Sequence, residues 1–299
     1  MSSVLKINKL TKKFGKLTAV DQLDLQINEG QVYGILGPNG SGKTTTLAMI
    51  LEVAAPTSGN FEWFGGINNV EARQKIGAIL ETPCFYSYLT ATQNLRIIAH
   101  IKKSDPNNID KILKQVNLFE RKDDKFKTFS LGMKQRLSLA AALLSDPPVL
   151  MLDEPTNGLD PEGIAEVRQL IRDIAAKGKT IIMASHLLDE VQKVCTHFCV
   201  LRKGVKLHEG AVNEILGETN IVDVVSDDLD SLKETLDKFE GAEKVERENG
   251  MVKVFLNEGK SSDQLNKYCF ENGIALKKLI PQSKSLEQEF LKILKENDQ

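Results

Sequence analysis

The sequence predicts an α/β protein: a mainly parallel sheet core with a helical subdomain, followed by a small C-terminal α+β domain. Three observations carry this expectation. A short apolar run at residues 31–36 ends in a glycine-rich segment, 37–42, and then enters a helix-forming stretch. Between residues 149 and 201, apolar strand-like runs alternate with amphipathic stretches, as a sheet covered on both faces requires. After about Thr219 the rhythm changes to β-α-β-β-α-β, the order of a ferredoxin-like domain.

Residues 4–24 read as strands joined by polar turns. The run 31–36 is a buried strand, and 44–51 suits a helix. Residues 83–148 look mainly helical. Thr90 and Gln93 have capping-box spacing, and Ile109, Ile112, Leu113 and Val116 recur at helical spacing. Ser130 opens a third helix that Asp146-Pro147-Pro148 stops. Next come a strand at 149–152, a helix at 162–176, a strand at 180–184, a helix at 187–194 and a strand at 198–201. In the tail, 221–225 is a strand, and 231–239 is a helix with a Ser231/Glu234 capping box. Asn249-Gly250 marks a hairpin turn ahead of the alternating run 251–256. A helix at 261–271, a strand at 274–280 and a last helix at 285–295 complete the order. The expected domains are 1–217, with the helical subdomain at 83–148, and 218–299.

Composition narrows the function classes. The chain has 299 residues, 41% of them apolar and 27% charged, with a net charge of −2. That is globular composition without general affinity for polyanions. Residues 1–217 hold 27 basic and 23 acidic side chains, against 12 and 18 in 218–299. An acidic tail argues against a nucleic-acid or anionic-lipid arm, so no nucleic-acid partner is expected. No apolar run reaches the ~18 residues that cross a bilayer, and the start lacks a signal-peptide core. A cytoplasmic location follows as the expectation. Four cysteines suit a reducing compartment, and buried free thiols are the ordinary reading of Cys195 and Cys199.

The segment Gly37-Pro38-Asn39-Gly40-Ser41-Gly42-Lys43-Thr44 satisfies the phosphate-loop pattern in full, in the required strand–loop–helix context. Glycines let backbone amides curl around phosphate oxygens, and the following helix directs its positive end at them. Lys43 would reach the β- and γ-phosphates of ATP, and Thr44 would offer its hydroxyl to Mg²⁺. ATP contacts are expected from Gly37 through Thr45. The strand at 149–152 runs into Asp153 and Glu154. Such a pair can place Asp153 on Mg²⁺ and Glu154 on the attacking water.

With these motifs in order, residues 4–210 resemble an ABC (ATP-binding cassette) ATPase, a P-loop NTPase fold. The diagnostic element is Ser130-Leu131-Gly132-Met133, similar to the cassette signature Ser-Gly-Gly-Gln. Ser130 and Gly132 match; Leu131 and Met133 depart. The resemblance implies two cassettes paired head to tail, each ATP lying between one phosphate loop and the partner's signature. It implies an interface loop at Asp160, a switch histidine at His186 and an adenine-stacking aromatic at Phe14. Glu81 stands where the family usually has a Mg²⁺-ligating glutamine, so a metal role for Glu81 is an expectation with an altered donor.

Glu81, the Leu-Gly-Met signature and the appended domain resemble the branch of bacitracin, lantibiotic and multidrug exporters. That branch implies a separate integral membrane permease, an ATP-hydrolysing homodimer at the inner face of the cell membrane, and export. Phe85, Tyr86, Tyr88 and Leu89 fit a permease anchor and a subdomain core equally well. The tail's role stays open among dimerisation, regulation and bracing. A soluble cassette ATPase acting on a non-membrane partner is the alternative. Its relatives typically carry two cassettes, coiled-coil insertions or zinc insertions, which this sequence lacks.

Overall fold

The computed structural model describes residues 2–67, 69–80, 84–215, 218–248, 250–257 and 259–283, with Glu287 and Phe290. It divides into two compact units, one running to Val212 and the other beginning at Asn213.

The first unit opens with two long strands, β1 (Ser3–Phe14) and β2 (Leu17–Asn28), paired antiparallel. A fully buried strand, β3 (Val32–Leu36), leads through the glycine loop into α1 (Lys43–Ile50). Strand β4 (Ser58–Trp63) returns to pair with β1, making a three-stranded antiparallel sheet in the order β2-β1-β4. Helix α2 (Asn69–Gln74) and strand β5 (Ile76–Ile79) follow.

The helical stretch holds α3 (Ala91–Lys102), α4 (Ile109–Gln115) and α5 (Leu131–Leu143). The capping box of Thr90 and Gln93 forms at the start of α3. Helix α4 is shorter than its apolar spacing predicts, because Asn117 adopts a left-handed backbone (φ 55°) that ends it. The chain then alternates through β6 (Val149–Asp153), α6 (Pro161–Ala175), β7 (Thr180–Ser185), α7 (Leu188–Val194), β8 (His197–Arg202) and β9 (Val205–Ala211).

The second sheet has the order β5-β6-β7-β3-β8-β9; its first five strands are parallel and β9 is an antiparallel edge. Its register positions the site. Asp153 pairs with Ala184, and Leu36 with Ser185. The carboxyl ends of β6, β7 and β3 therefore stop level with one another, and the residues that follow meet at one edge of the sheet, the usual ligand position in such folds. One core cluster joins the two sheets, with Leu5, Ile7, Leu23 and Ile27 packed together with Tyr33, Ile35, Leu47, Met151 and Ile182. The predicted layout is borne out in class. The strands β4, β5 and β9 are additions that apolar patterning did not reveal.

The short helix α8 (Val212–Ile215) leads into the second unit. There β10 (Glu218–Ser226), α9 (Leu229–Leu236), β11 (Ala242–Glu248), β12 (Met251–Leu256), α10 (Ser262–Glu271) and β13 (Leu276–Ser283) follow the expected order. The antiparallel sheet runs β11-β12-β10-β13, placing the first strand between the third and the last as in a ferredoxin-like domain. Val222, Val224, Val252, Val254 and Leu256 form its inner face against Leu232, Leu236, Leu265 and Cys269. One expectation is corrected here. Helix α9 begins at Leu229, and its cap is Asp228, whose carboxylate accepts the N–H groups of Asp230 and Ser231; Ser231 lies inside the helix rather than at its start. Asn249 and nearly all of 285–295 lie outside the described residues.

Candidate nucleotide site

The loop between β3 and α1 can take its shape only with glycine. Gly42 has φ 106°, and a Cβ there would stand 2.5 Å from the carbonyl oxygen of Ala19. A Cβ on Gly37 would meet the carbonyl of Leu201 at 2.3 Å. Helix α1 starts at this left-handed glycine without a side-chain cap, so its first amides are left for a ligand. Pro38, Asn39 and Gly40 are exposed, Thr44 and Thr45 half-buried, and Ser41 buried with its Oγ lacking a hydrogen-bond partner. Lys43 is 5% exposed. Its Nζ donates to the carbonyls of Gly37 at 2.8 Å and Pro38 at 3.2 Å, and lies 3.3 Å from Glu154 Oε1.

Glu154 follows β6 in a left-handed backbone conformation, φ 47°. For a residue with a side chain this costs roughly 1–2 kcal/mol. The turn carries its carboxylate back over the sheet edge, where the His186 N–H donates to Oε2 at 3.3 Å and His186 Nδ1 lies 2.8 Å from the same oxygen. An ionised carboxylate only accepts, so Nδ1 carries the proton and Nε2 is left for another partner. Three sequence-distant residues, Lys43, Glu154 and His186, thus converge as the motif order predicts.

Asp153, at the end of β6, is 3% exposed. Among the described residues no group of three or more His, Cys, Asp or Glu side chains could hold a metal ion. The donors near the loop are instead hard oxygens: the carboxylate of Asp153, the hydroxyl of Thr44 and the unpaired Oγ of Ser41. That set fits Mg²⁺, which usually takes one or two protein oxygens and completes its shell with phosphate and water. Glu81 lies outside the described residues.

The signature forms a second cluster. Ser130 is exposed and caps α5, its hydroxyl accepting the Met133 N–H at 3.3 Å. Leu131 is exposed, while Gly132 and Met133 are half-buried. A cavity of about 330 Å³ is lined by Ser130, Leu131, Gly132, Gly158, Leu159 and Asp160 among others, and by neither Lys43 nor Glu154. Asp160 caps α6, accepting the Gly163 N–H at 2.8 Å. Phe14 ends β1, the residue 53% exposed and the Lys12 ammonium 5.0 Å from its ring centre. The aromatics after Pro83 divide. Phe85 packs on Phe126 with ring centres 5.1 Å apart, whereas Tyr86 and Tyr88 stand exposed 5.9 Å from each other.

Sequence reasoning passed over Ser185 and Glu190, both buried behind His186. Among the described residues no helix is long and apolar enough to cross a membrane.

Residues 20–157 match the family described as ABC transporter. The chain is 38% identical to a bacitracin transport ATP-binding protein, BcrA, of Bacillus licheniformis over 98% of both chains. It is 40% identical to the BcrA of Enterococcus faecalis over 72% of this chain and 71% of that one. Among solved structures it is similar to cbiO1 of Clostridium perfringens, part of an ABC transporter complex, with a TM-score of 0.66 and 29% identity over 72% of this chain and 91% of that one. It is also similar to a dimeric cassette in a post-hydrolysis state bound to ADP and Pi, with a TM-score of 0.62 and 26% identity over 70% of this chain and 98% of that one. The chain belongs to the ATP-binding subunits of ABC transporters and is an ATPase of that family.

Proposed function

We propose that two copies of this chain pair head to tail, each ATP lying between the Gly37–Thr45 loop of one and the Ser130–Met133 segment of the other. The convergence of Lys43, Glu154 and His186 supports this reading most strongly. In the present arrangement the Lys43 ammonium rests on loop carbonyls and on Glu154. Polyphosphate offers it stronger, charge-assisted acceptors. Once Lys43 turns to the β- and γ-phosphates, Glu154 is held by His186 alone. Glu154 then orients a water and takes its proton as that water attacks the γ-phosphorus. His186 Nε2 is available to the γ-phosphate, and Phe14 offers a ring face to adenine.

Thr44 and Asp153 would hold Mg²⁺, with Glu81 as a further oxygen donor. The ion would neutralise charge developing on the phosphate oxygens. The partner's Ser130 hydroxyl and the amides opening α5 would close the site from the other side, with Asp160 at the seam.

The chain works through a separate integral membrane permease, at the cytoplasmic face of the cell membrane, and drives export. The similarity to bacitracin transport proteins supports the direction, and the exposed Tyr86–Tyr88 pair suits an anchor for a permease segment. Glu154→Gln tests the chemistry. With its permease and Mg²⁺, the variant should retain ATP in a stable dimer while turnover falls by about 10²–10³-fold. Undiminished turnover would remove Glu154 from the mechanism, and loss of ATP retention by the unaltered complex would remove the whole reading.

A further inference from the structure

His186 sits in a turn between β7 and α7, and that turn is held from behind by two buried residues. Ser185 is fully buried and Glu190 is 2% exposed. The Ser185 hydroxyl donates to Glu190 Oε2 at 2.7 Å, and its oxygen accepts the Leu187 N–H at 3.0 Å. The backbone carbonyl of Ser185 accepts the Gly37 N–H at 3.3 Å. The two neighbours of His186 are therefore tied to one hydroxyl, and that hydroxyl is aimed by Glu190.

A carboxylate has no packing reason to lie here. Burial pushes its pKa above the ordinary carboxylate range, with the Ser185 hydroxyl, Arg168 on α6 and His186 drawing it down and Glu154 driving it up. Glu190 Oε1 is buried without a hydrogen-bond partner, and so is Nε of Arg168, whose Nη2 donates to Asp189 Oδ2 at 2.9 Å.

We propose that Glu190 is a positioning residue for the reaction: through the Ser185 hydroxyl it fixes the turn that delivers His186 to Glu154 and anchors the start of the phosphate loop. It touches neither nucleotide nor the attacked phosphorus. It holds the Nδ1–Oε2 contact of 2.8 Å in register. Misplacement of a catalytic group by ~1 Å can cost about 10²-fold in rate. The inference rests on the role given to His186 above.

The test is steady-state ATP hydrolysis by the full chain in its complex. Glu190→Gln keeps an acceptor oxygen for Ser185 and should hold kcat within about twofold of the unaltered chain. Glu190→Leu removes the acceptor at similar volume, and should lower kcat about 10–100-fold while KM for ATP stays within about threefold. Ser185→Ala, which deletes one oxygen and is the milder change should Glu190→Leu fold poorly, should lower kcat in the same way. In a His186→Ala background, Glu190→Leu should cost no more than about twofold further, because the residue it positions is gone. The proposal is overturned if Glu190→Leu and Ser185→Ala turn over normally, if Glu190→Gln loses as much as Glu190→Leu, or if the losses multiply with that of His186→Ala. A His186→Ala chain with full activity would instead sink the underlying role of His186, whatever the Glu190 variants do.

Discussion

The cassette and the C-terminal unit are both layers of apolar strands covered by amphipathic helices, yet they treat local rules differently. Among the described residues nine non-glycine positions have a positive φ, and all lie in the cassette, Glu154 with them. The buried polar atoms without hydrogen-bond partners, such as Ser41 Oγ and Glu190 Oε1, lie there too. Among its described residues the C-terminal unit shows neither feature. Its β12 alternates half-buried and buried residues without a break, and α10 begins with a complete Ser261–Gln264 capping box. Some of these positions only end helices or turn the chain, as Asn117 does after α4, but Glu154 and Ser41 lie at the nucleotide site, where a ligand or a reaction can offset the cost. Their distribution separates a unit arranged for chemistry from one arranged for packing.

If that separation holds, a change at the sheet edge should alter nucleotide handling, and a change in the C-terminal core should alter stability alone. The largest effect on ATP binding is expected at Lys43. Lys43→Met keeps the volume of the side chain but removes a charge that two carbonyls and Glu154 now hold. ATP affinity, measured by titration with a fluorescent nucleotide, should fall by about 100-fold, the loss of one or two charge-assisted hydrogen bonds. Undiminished affinity would break the contrast at its strongest point.

An effect of the opposite kind, on stability and not on binding, is expected at Leu232, a residue of α9 fully buried against the inner face of the sheet. Leu232→Ala should cost about 2–5 kcal/mol, read as lost hydrogen-exchange protection at the Val252 and Val254 amides. KM for ATP should not move. A shift in KM would show that the C-terminal unit acts on the site and is more than a packed module.

The two regions also differ in what a sequence can reveal. The strand–loop–helix unit was legible because its steric demands fall on residue type: at Gly37 and Gly42 a side chain would collide with backbone. Lys43, Glu154 and His186 were legible as motifs, since parallel register brings the residues after β3, β6 and β7 together. Strand β4 was not, because five of its six residues are exposed or half-buried, leaving no apolar alternation to detect. Strand β9 is likewise half-exposed throughout. Glu190 was hidden for the reverse reason. An acid in the first turn of a helix reads as a solvated charge favoured by the dipole, and only the fold shows it buried behind Ser185.

The smallest effect concerns the start of α9, which sequence reasoning placed one turn too late. Ser231 and Glu234 have capping-box spacing, but Asp228 stands one turn earlier and accepts two amide donors, from Asp230 and Ser231. One carboxylate that satisfies two orphan N–H groups, beside the positive end of a helix, outcompetes a serine that would satisfy one. The serine is then an interior residue of α9, its N–H already taken. Asp228→Ala should therefore destabilise the C-terminal unit by about 1 kcal/mol, and Ser231→Ala by well under half of that, since alanine favours a helix interior. Denaturant midpoints of the two variants separate the alternatives. Equal losses, or a larger loss at Ser231, would return the start of the helix to the serine. It would also show that even a unit which obeys local rules can choose between two of them on grounds other than donor count.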